Sequence, residues 1–372
     1  MQISKRAESI ITEGIRGFSG SDIVYDLTVG QPDFPVPNEM KNAIKQIVDE
    51  NKNGYIKTGG EIFIRQKLAQ DLKSKHTTLA NLQAEEIVIT PGVTGGIFAT
   101  LLTLINENDK VLLPDPYFSP YIDMVKLVGG IPKLINTYPD FALTADKLEE
   151  AIDSQCKLLI LNHPNNPTGR TLSKQELEAI VELCHKHNIT IMSDEIYENF
   201  VYKEPYTSIA DITKNAILLK GFSKSHGATG WRIGYVVAPG SIANIIERVM
   251  GKVYVSAPSI THYAIPEALD YNNTKIINLL KERRNLVLSI LSDVCPDLSL
   301  DGGFFVFLNV FSACGCDADT FVQKLRKHGV AILPGRIFSQ HNTHCRISLT
   351  IETSKLINAL KIIRQCIIEN KK

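Results

Sequence analysis

AILLKGFSKSHGATGWRIGY, residues 216–235, joins an apolar run to a turn of small residues that holds Lys224 and, eight positions later, Arg232. The apolar run reads as a buried strand, so the turn delivers an amine to one edge of a sheet. A lone lysine in so small-residued a turn reads as a covalent attachment point. The same plan recurs upstream. CKLLILN (156–162) runs into HPNNPTGR (163–170), and ITIMSDE (189–195) ends on Asp194 and Glu195 with Tyr197 just beyond. EIVIT (86–90) leads into PGVTGGI (91–97), and KVLLPD (110–115) is a further strand. Helical spacing fills the gaps in IRQKLAQDLKSK (64–75), GIFATLLTLI (96–105), YIDMVKLVGG (121–130) and ELEAIVELCHKH (176–187).

Alternation of this kind from about residue 61 to 255 predicts an α/β fold, a mainly parallel sheet covered by helices on both faces. From about 266 the pattern changes. KIINLLKERRNLVLSIL (275–291), FVQKLRKHG (321–329) and SKLINALKIIRQCII (354–368) read as helices, while GFFVFLNV (303–310) and CRISLTI (345–351) read as strands. The expected organisation is a large domain over 45–265 and a smaller α+β domain over 266–372. Residues 1–44 have too few core positions to stand alone and are expected to pack with the small domain and a dimer partner.

The bulk composition narrows the function. The 372 residues are 44% hydrophobic and 22% charged, and forty basic side chains balance forty acidic ones. No global field recruits nucleic acid or an anionic membrane, so a small-molecule substrate is expected. No run approaches the ~18 apolar residues of a membrane span. No apolar stretch resembles a signal peptide, and the seven scattered cysteines suit reduced thiols, which together point to the cytoplasm. Cys314-Gly-Cys316 has no second pair at ligand spacing, and His341, His344 and Cys345 are a weak loop cluster, so no metal is expected.

In open α/β sheets ligands gather beyond the carboxyl ends of the strands. An amine, a carboxylate at the end of an apolar strand, a small-residue entry to a helix and a nearby arginine all fall there. Pyridoxal phosphate needs this set: an amine for a Schiff base, a carboxylate for its pyridine nitrogen, and a cradle for its phosphate. Neither a G-x-G-x-x-G nor a P-loop pattern argues for a dinucleotide or nucleoside triphosphate.

SKSHGATGWRIGY (223–235), HPNNPTG (163–169) and SDEIY (193–197) stand in the same order as the signatures of the class I/II pyridoxal-phosphate-dependent aminotransferases, and the chain resembles that family, of the aspartate aminotransferase fold. The resemblance extends through GQPDFPVP (30–37), NGYIKTGGEIFIR (53–65), LPDPYFSPY (113–121), GVAILPGRIF (329–338) and CRISLT (345–350), nearly the whole chain. It implies a sheet of the seven-stranded type and assigns roles by position. Lys224 forms the Schiff base and moves the substrate Cα proton. Asp194 pairs with the pyridine nitrogen, and Asn166 and Tyr197 hydrogen-bond the ring oxygen. Phe118 stacks on the ring. Arg232 with Val93 and Thr94 clamps the phosphate, joined by Tyr55 from the neighbouring subunit of a homodimer. Arg346 grips the α-carboxylate, with Asn166 and Gly30 beside it.

Two positions depart from the pattern. Gly221 stands where the family often has a phosphate-binding serine, and His226 stands where an aromatic or aliphatic residue is common. The resemblance implies ping-pong transfer of an amino group from an L-amino acid to a 2-oxo acid such as 2-oxoglutarate. Thr94 occupies a position where aspartate-using relatives often carry a lysine, which favours neutral, aromatic or sulfur-containing donors. Arg336 is a candidate replacement charge, aspartate remains an alternative donor, and the fold also hosts C–S lyases and cofactor-bearing sensors.

Overall fold

The computed structural model describes residues 3–10, 15–203 and 205–371. Of the N-terminal stretch read as amphipathic, residues 1–2 and 11–14 lie outside the described residues. Among those described, twelve strands form three sheets. In chain order they are β1 (Tyr25–Asp26), β2 (Ile87–Pro91), β3 (Lys110–Asp115), β4 (Ile131–Asn136), β5 (Cys156–Asn162), β6 (Thr190–Asp194), β7 (Ile217–Gly221), β8 (Ile233–Val237), β9 (Phe305–Asn309), β10 (Val330–Ala331), β11 (Leu333–Pro334) and β12 (His344–Ser348).

The large sheet has the order β2-β8-β7-β6-β5-β3-β4. Its pairings are parallel except those of β8, which runs antiparallel to β2 and β7. The strands are apolar without alternation because both faces are covered. Successive side chains feed two different cores, as the two-residue period of a strand requires. Leu158, Ile160, Met192, Ile217, Leu219 and Val236 pack on one side with the helix Gly92–Leu104. Leu159, Leu161, Ile191, Leu218 and Val237 pack on the other with the helices Ile62–Lys75 and Lys174–Lys186. A capping box at Ser173 and Glu176 starts the latter helix.

The small antiparallel sheet, β11-β12-β9, lies with the helices Thr274–Leu291 and Thr353–Asn370. Its Val306, Leu308 and Ile347 belong to the same continuous core as Ile160 and Leu219 of the large sheet. The N-terminal segment enters here: β1 pairs in parallel with β10, and the Ser348 N–H donates to Leu27 O at 2.9 Å. Residues 28–34 then cross toward the carboxyl edge of the large sheet. They are fixed by Asp33, whose two oxygens each lie 2.7 Å from the buried Arg283 guanidinium. Arg283 also donates to Leu349 O and Thr353 Oγ1, so one side chain ties the crossing segment to the small sheet and its last helix.

The strands expected at 86–90, 110–115, 156–162, 189–195 and 216–222 are present within a residue or two of those bounds. Two large-sheet strands escaped the periodicity reading. In β4, IPKLIN, a proline and a lysine interrupt the apolar run, which an edge strand tolerates. In β8, IGYVV is too short to stand out behind the glycine-rich turn that precedes it. The helix expected to begin at residue 96 begins at Gly92, so the small-residue stretch is its first turn rather than a loop before it. No helix among the described residues is long and apolar enough to cross a membrane.

Asp33→Ala leaves a buried guanidinium without its carboxylate. It should lower the unfolding free energy read from urea titration by on the order of 2–3 kcal/mol once the partial exposure of Asp33 is discounted, and the midpoint with it. An unchanged midpoint would mean that the crossing segment is held by packing instead.

Candidate active site

The carboxyl ends of β2, β5, β6 and β7 converge on a cavity of about 310 Å³. Ten of the eleven residues singled out from the sequence line it: Gly30, Val93, Thr94, Phe118, Asn166, Asp194, Tyr197, Lys224, Arg232 and Arg346. The eleventh, Tyr55, is 93% exposed and borders a different surface hollow with Pro91 and Tyr254.

Each polar side chain is placed by a local device. Asn162, the last residue of β5, accepts the Asn166 N–H at Oδ1 (2.7 Å) and donates through Nδ2 to Asp194 O (3.0 Å), tying the turn after β5 to the end of β6. Asn165 Oδ1 accepts from the Thr168 N–H and hydroxyl, closing the turn. Asn166 then faces the cavity, its Oδ1 accepting from Arg346 Nη1 at 2.9 Å while Nδ2 reaches the Tyr197 hydroxyl at 3.5 Å. Asp194 accepts the Tyr121 hydroxyl at 2.6 Å on one oxygen and the Ile196 N–H at 3.2 Å on the other. Lys224 Nζ donates to Gly30 O at 2.7 Å, joining the crossing N-terminal segment to the turn after β7. A Cβ on Gly30 would lie 2.4 Å from the Phe305 ring, so only glycine brings this backbone so close.

At the other end of the cavity the helix Gly92–Leu104 presents its first turn, with no side-chain cap on its free N–H groups. Gly92 has φ +69°, and a Cβ there would meet Arg232 Nη2 at 2.5 Å. Arg232 itself adopts a left-handed backbone (φ 53°), which brings its guanidinium to the Thr229 and Pro91 carbonyls at the helix entry. Gly221 is closely packed: a Cβ there would lie 3.0 Å from Val93 Cγ2 and 3.2 Å from Ile196 Cδ1, so a side chain would require those neighbours to shift slightly. His226 does not line the cavity. Its Nε2–H donates to Ala268 O at 2.9 Å and Nδ1 accepts from Ser225 Oγ at 2.8 Å, and burial pushes its pKa down to about 4, so it packs as a neutral ring.

Three cations, Lys224, Arg232 and Arg346, line the cavity against one carboxylate, Asp194, and none of the three forms an ion pair among the described residues. Burial, with help from Arg346 and Arg232, pushes the Lys224 pKa down to about 8. Burial raises Asp194 to about 6 despite its hydrogen bonds from Tyr121 and Ile196. Burial lowers Arg346 to about 9, and its Nε has no partner. A cavity charged in this way is built for a guest with at least two anionic groups. The N–H-rich helix entry with Arg232 fits a phosphate, Asp194 fits a protonated ring nitrogen, and Arg346 is left for a carboxylate.

Arg336 is no spare charge for this cavity: its Nε lies 2.9 Å from both oxygens of Asp319. Three contributors went unassigned from the sequence. Tyr121 lies in LPDPYFSPY at the start of the helix Pro120–Leu127, and a helix phase count would have turned it inward with Phe118. Asn162 ends its strand as Asp194 does. Phe338, stacked on Arg346, carries no local signal because the stacking joins a loop to β12. Among the described residues no group of three or more His, Cys, Asp or Glu side chains is placed to hold a metal.

The family model described as aminotransferase class I and II matches residues 22–363. The chain is 34% identical to a probable N-acetyl-LL-diaminopimelate aminotransferase of Bacillus subtilis, over 96% of this chain and 94% of that protein. It is 30% identical to aromatic-amino-acid aminotransferase 2 of Thermococcus litoralis over the full length of both. The crystal structure of Thermus thermophilus aspartate aminotransferase with maleate superposes with a TM-score of 0.92 at 26% identity, covering 98% of this chain and 100% of the other.

A lysine whose folded pKa lies below its unfolded value destabilises the folded chain while it stays protonated, and the penalty fades as pH rises from about 8 through the unfolded value. Lys224→Leu should therefore melt higher than the wild type at pH 7 when both lack cofactor, with the gap closing toward pH 10. A gap that is independent of pH would place Lys224 in a less strained environment than the cavity implies.

Proposed function

This chain belongs to the class I and II aminotransferase family, and from that premise we propose that it moves an amino group from a neutral, aromatic or sulfur-containing L-amino acid to a 2-oxo acid such as 2-oxoglutarate. Members of this family depend on pyridoxal phosphate. The observation that carries the reading is the pattern of unpaired cations around one carboxylate, because it matches a phosphorylated pyridine and an α-carboxylate together. When bound, the cofactor supplies a carbonyl that condenses with amines and a ring that draws electrons from the substrate Cα.

The chain's own residues hold and move charge around that ring. Arg232, the N–H groups of Val93 and Thr94 and the Thr94 hydroxyl hold the phosphate. Asp194, kept in place by Tyr121 and Ile196, accepts the pyridine N–H, and the positive charge it meets there keeps it ionised although burial alone favours its acid form. Tyr197, whose pKa burial raises, stays a neutral donor to the ring oxygen beside Asn166. Phe118 covers the ring. Arg346 fixes the α-carboxylate as a planar fork, with Asn166 and the Gly30 backbone beside it, and this orients Cα toward Lys224. Lys224, which burial pushes toward its neutral form, can take the Cα proton at Nζ and return it.

Substrate preference rests on what the cavity lacks. Arg232 serves the phosphate and Arg346 the α-carboxylate, and among the described residues no arginine or lysine other than these two and Lys224 lines it. Thr94 at the helix entry offers no charge. A donor with a second carboxylate, such as aspartate, therefore gains no fixed ion pair within one protomer. The same holds for the distal carboxylate of 2-oxoglutarate, so pyruvate belongs beside it as an acceptor in any assay. Tyr55 is exposed and stands outside this protomer's cavity, and a homodimer with shared sites is the assembly this reading requires.

Adding a neutral or aromatic amino acid to the purified holoenzyme should remove the cofactor's visible absorption band, and a 2-oxo acid should restore it. A faster response to aspartate than to every neutral donor would overturn the substrate reading, and a band that never converts would favour a lyase. Lys224→Ala should abolish turnover, and Arg346→Lys should raise the KM of every donor together. Mixing Lys224→Ala with an inactive Tyr55→Ala variant should recover part of the activity, whereas no recovery after proven subunit exchange would count against a shared site.

A further inference from the structure

Arg346 is a buried cation with no carboxylate partner, and its hydrogen bonds to Asn166 Oδ1 and Thr28 O (2.5 Å) are both to neutral acceptors. What else holds it is aromatic. The guanidinium carbon lies 4.3 Å from the centroid of the Phe305 ring and 4.5 Å from that of Phe338. Phe305 lines the cavity, but Phe338 does not. It is fully buried in a separate apolar cluster with Phe307, Leu333 and Ile337.

The loop that carries Phe338 is tied to the large sheet rather than left to drift with the small one. The Tyr117 N–H donates to Phe338 O at 2.8 Å, the Gln340 N–H to Asp115 Oδ2 at 3.1 Å, and the Tyr138 hydroxyl to Ser339 Oγ at 3.0 Å. A carboxylate in place of either ring would neutralise Arg346, but it would also consume the N–H donors that a substrate carboxylate needs. An aromatic face attracts the cation through its quadrupole and takes up none of its in-plane N–H donors beyond those given to Asn166 and Thr28.

We propose that Phe338 is a positioning residue for carboxylate recognition, holding the Arg346 guanidinium between its own ring and that of Phe305 so that its remaining N–H donors are presented to the substrate. The proposal rests on the reading of Arg346 as the carboxylate fork. It separates Phe338 from an ordinary core phenylalanine, whose loss loosens the fold without singling out carboxylate binding.

The test compares kcat and KM for several donors in the wild-type holoenzyme, Phe338→Leu, Arg346→Lys and Phe141→Leu. Phe141 packs against the same apolar cluster, with no ring contact to Arg346, and so controls for packing loss. Phe338→Leu should raise the KM of every donor roughly 3- to 30-fold, with kcat changed by no more than about 2-fold. Phe141→Leu should leave KM near the wild-type value. If Phe338→Leu does not fold, Phe338→Met makes the same comparison. An unchanged KM in the Phe338 variant beside a raised KM in Arg346→Lys would overturn the proposal and leave the fork intact. Equal KM changes in the Phe338 and Phe141 variants would also overturn it, as general loosening. An unchanged KM in Arg346→Lys would remove the fork reading itself.

Discussion

A buried guanidinium held at the cavity wall without a counter-ion is the constraint around which this structure is arranged. Burial disfavours the charged form of Arg346, and the fold offsets that cost with neutral acceptors and two ring faces instead of a carboxylate. Those partners come from distant parts of the chain: Thr28 from the crossing N-terminal segment, Asn166 from the turn after β5, and Phe305 and Phe338 from the small domain. The three regions must therefore meet at one point for the cation to be tolerated.

Lys224 and Asp194 show the same tension with opposite signs. Burial pushes the lysine toward its neutral form and the carboxylate toward its acid form, so the cavity walls by themselves discourage both charges. A ring cation against Asp194 and anions against Arg232 and Arg346 would reverse that balance. The environment is thus tuned for a loaded state, and the parallel sheet supplies the geometry by ending β5, β6 and β7 at neighbouring points along one edge.

Much of this was legible in the residues. The alternation of apolar runs and helical spacing located most of the large sheet, and the ends of those runs located Asp194, Asn166 and Lys224 because strand ends are where an α/β sheet keeps its polar residues. What escaped is what depends on contacts distant in sequence. β4 is an edge strand broken by Pro132 and Lys133, and nothing local marks it. Tyr121 earns its importance from a hydrogen bond to a residue 73 positions away. Phe338 acts through a ring face, which leaves no pattern in the chain. Gly221 reads as a missing donor, and it is also closely packed, so a side chain there would need Val93 and Ile196 to give by a few tenths of an ångström.

The central claim is that Lys224 carries the cofactor. Reducing the purified holoenzyme with borohydride would fix the cofactor to its lysine, and peptide mass spectrometry would then locate it. The account predicts a phosphopyridoxyl group on the peptide containing Lys224 and no other site at comparable occupancy. The group on Lys220 or another lysine, or no covalent attachment in a protein that retains its cofactor, would contradict it.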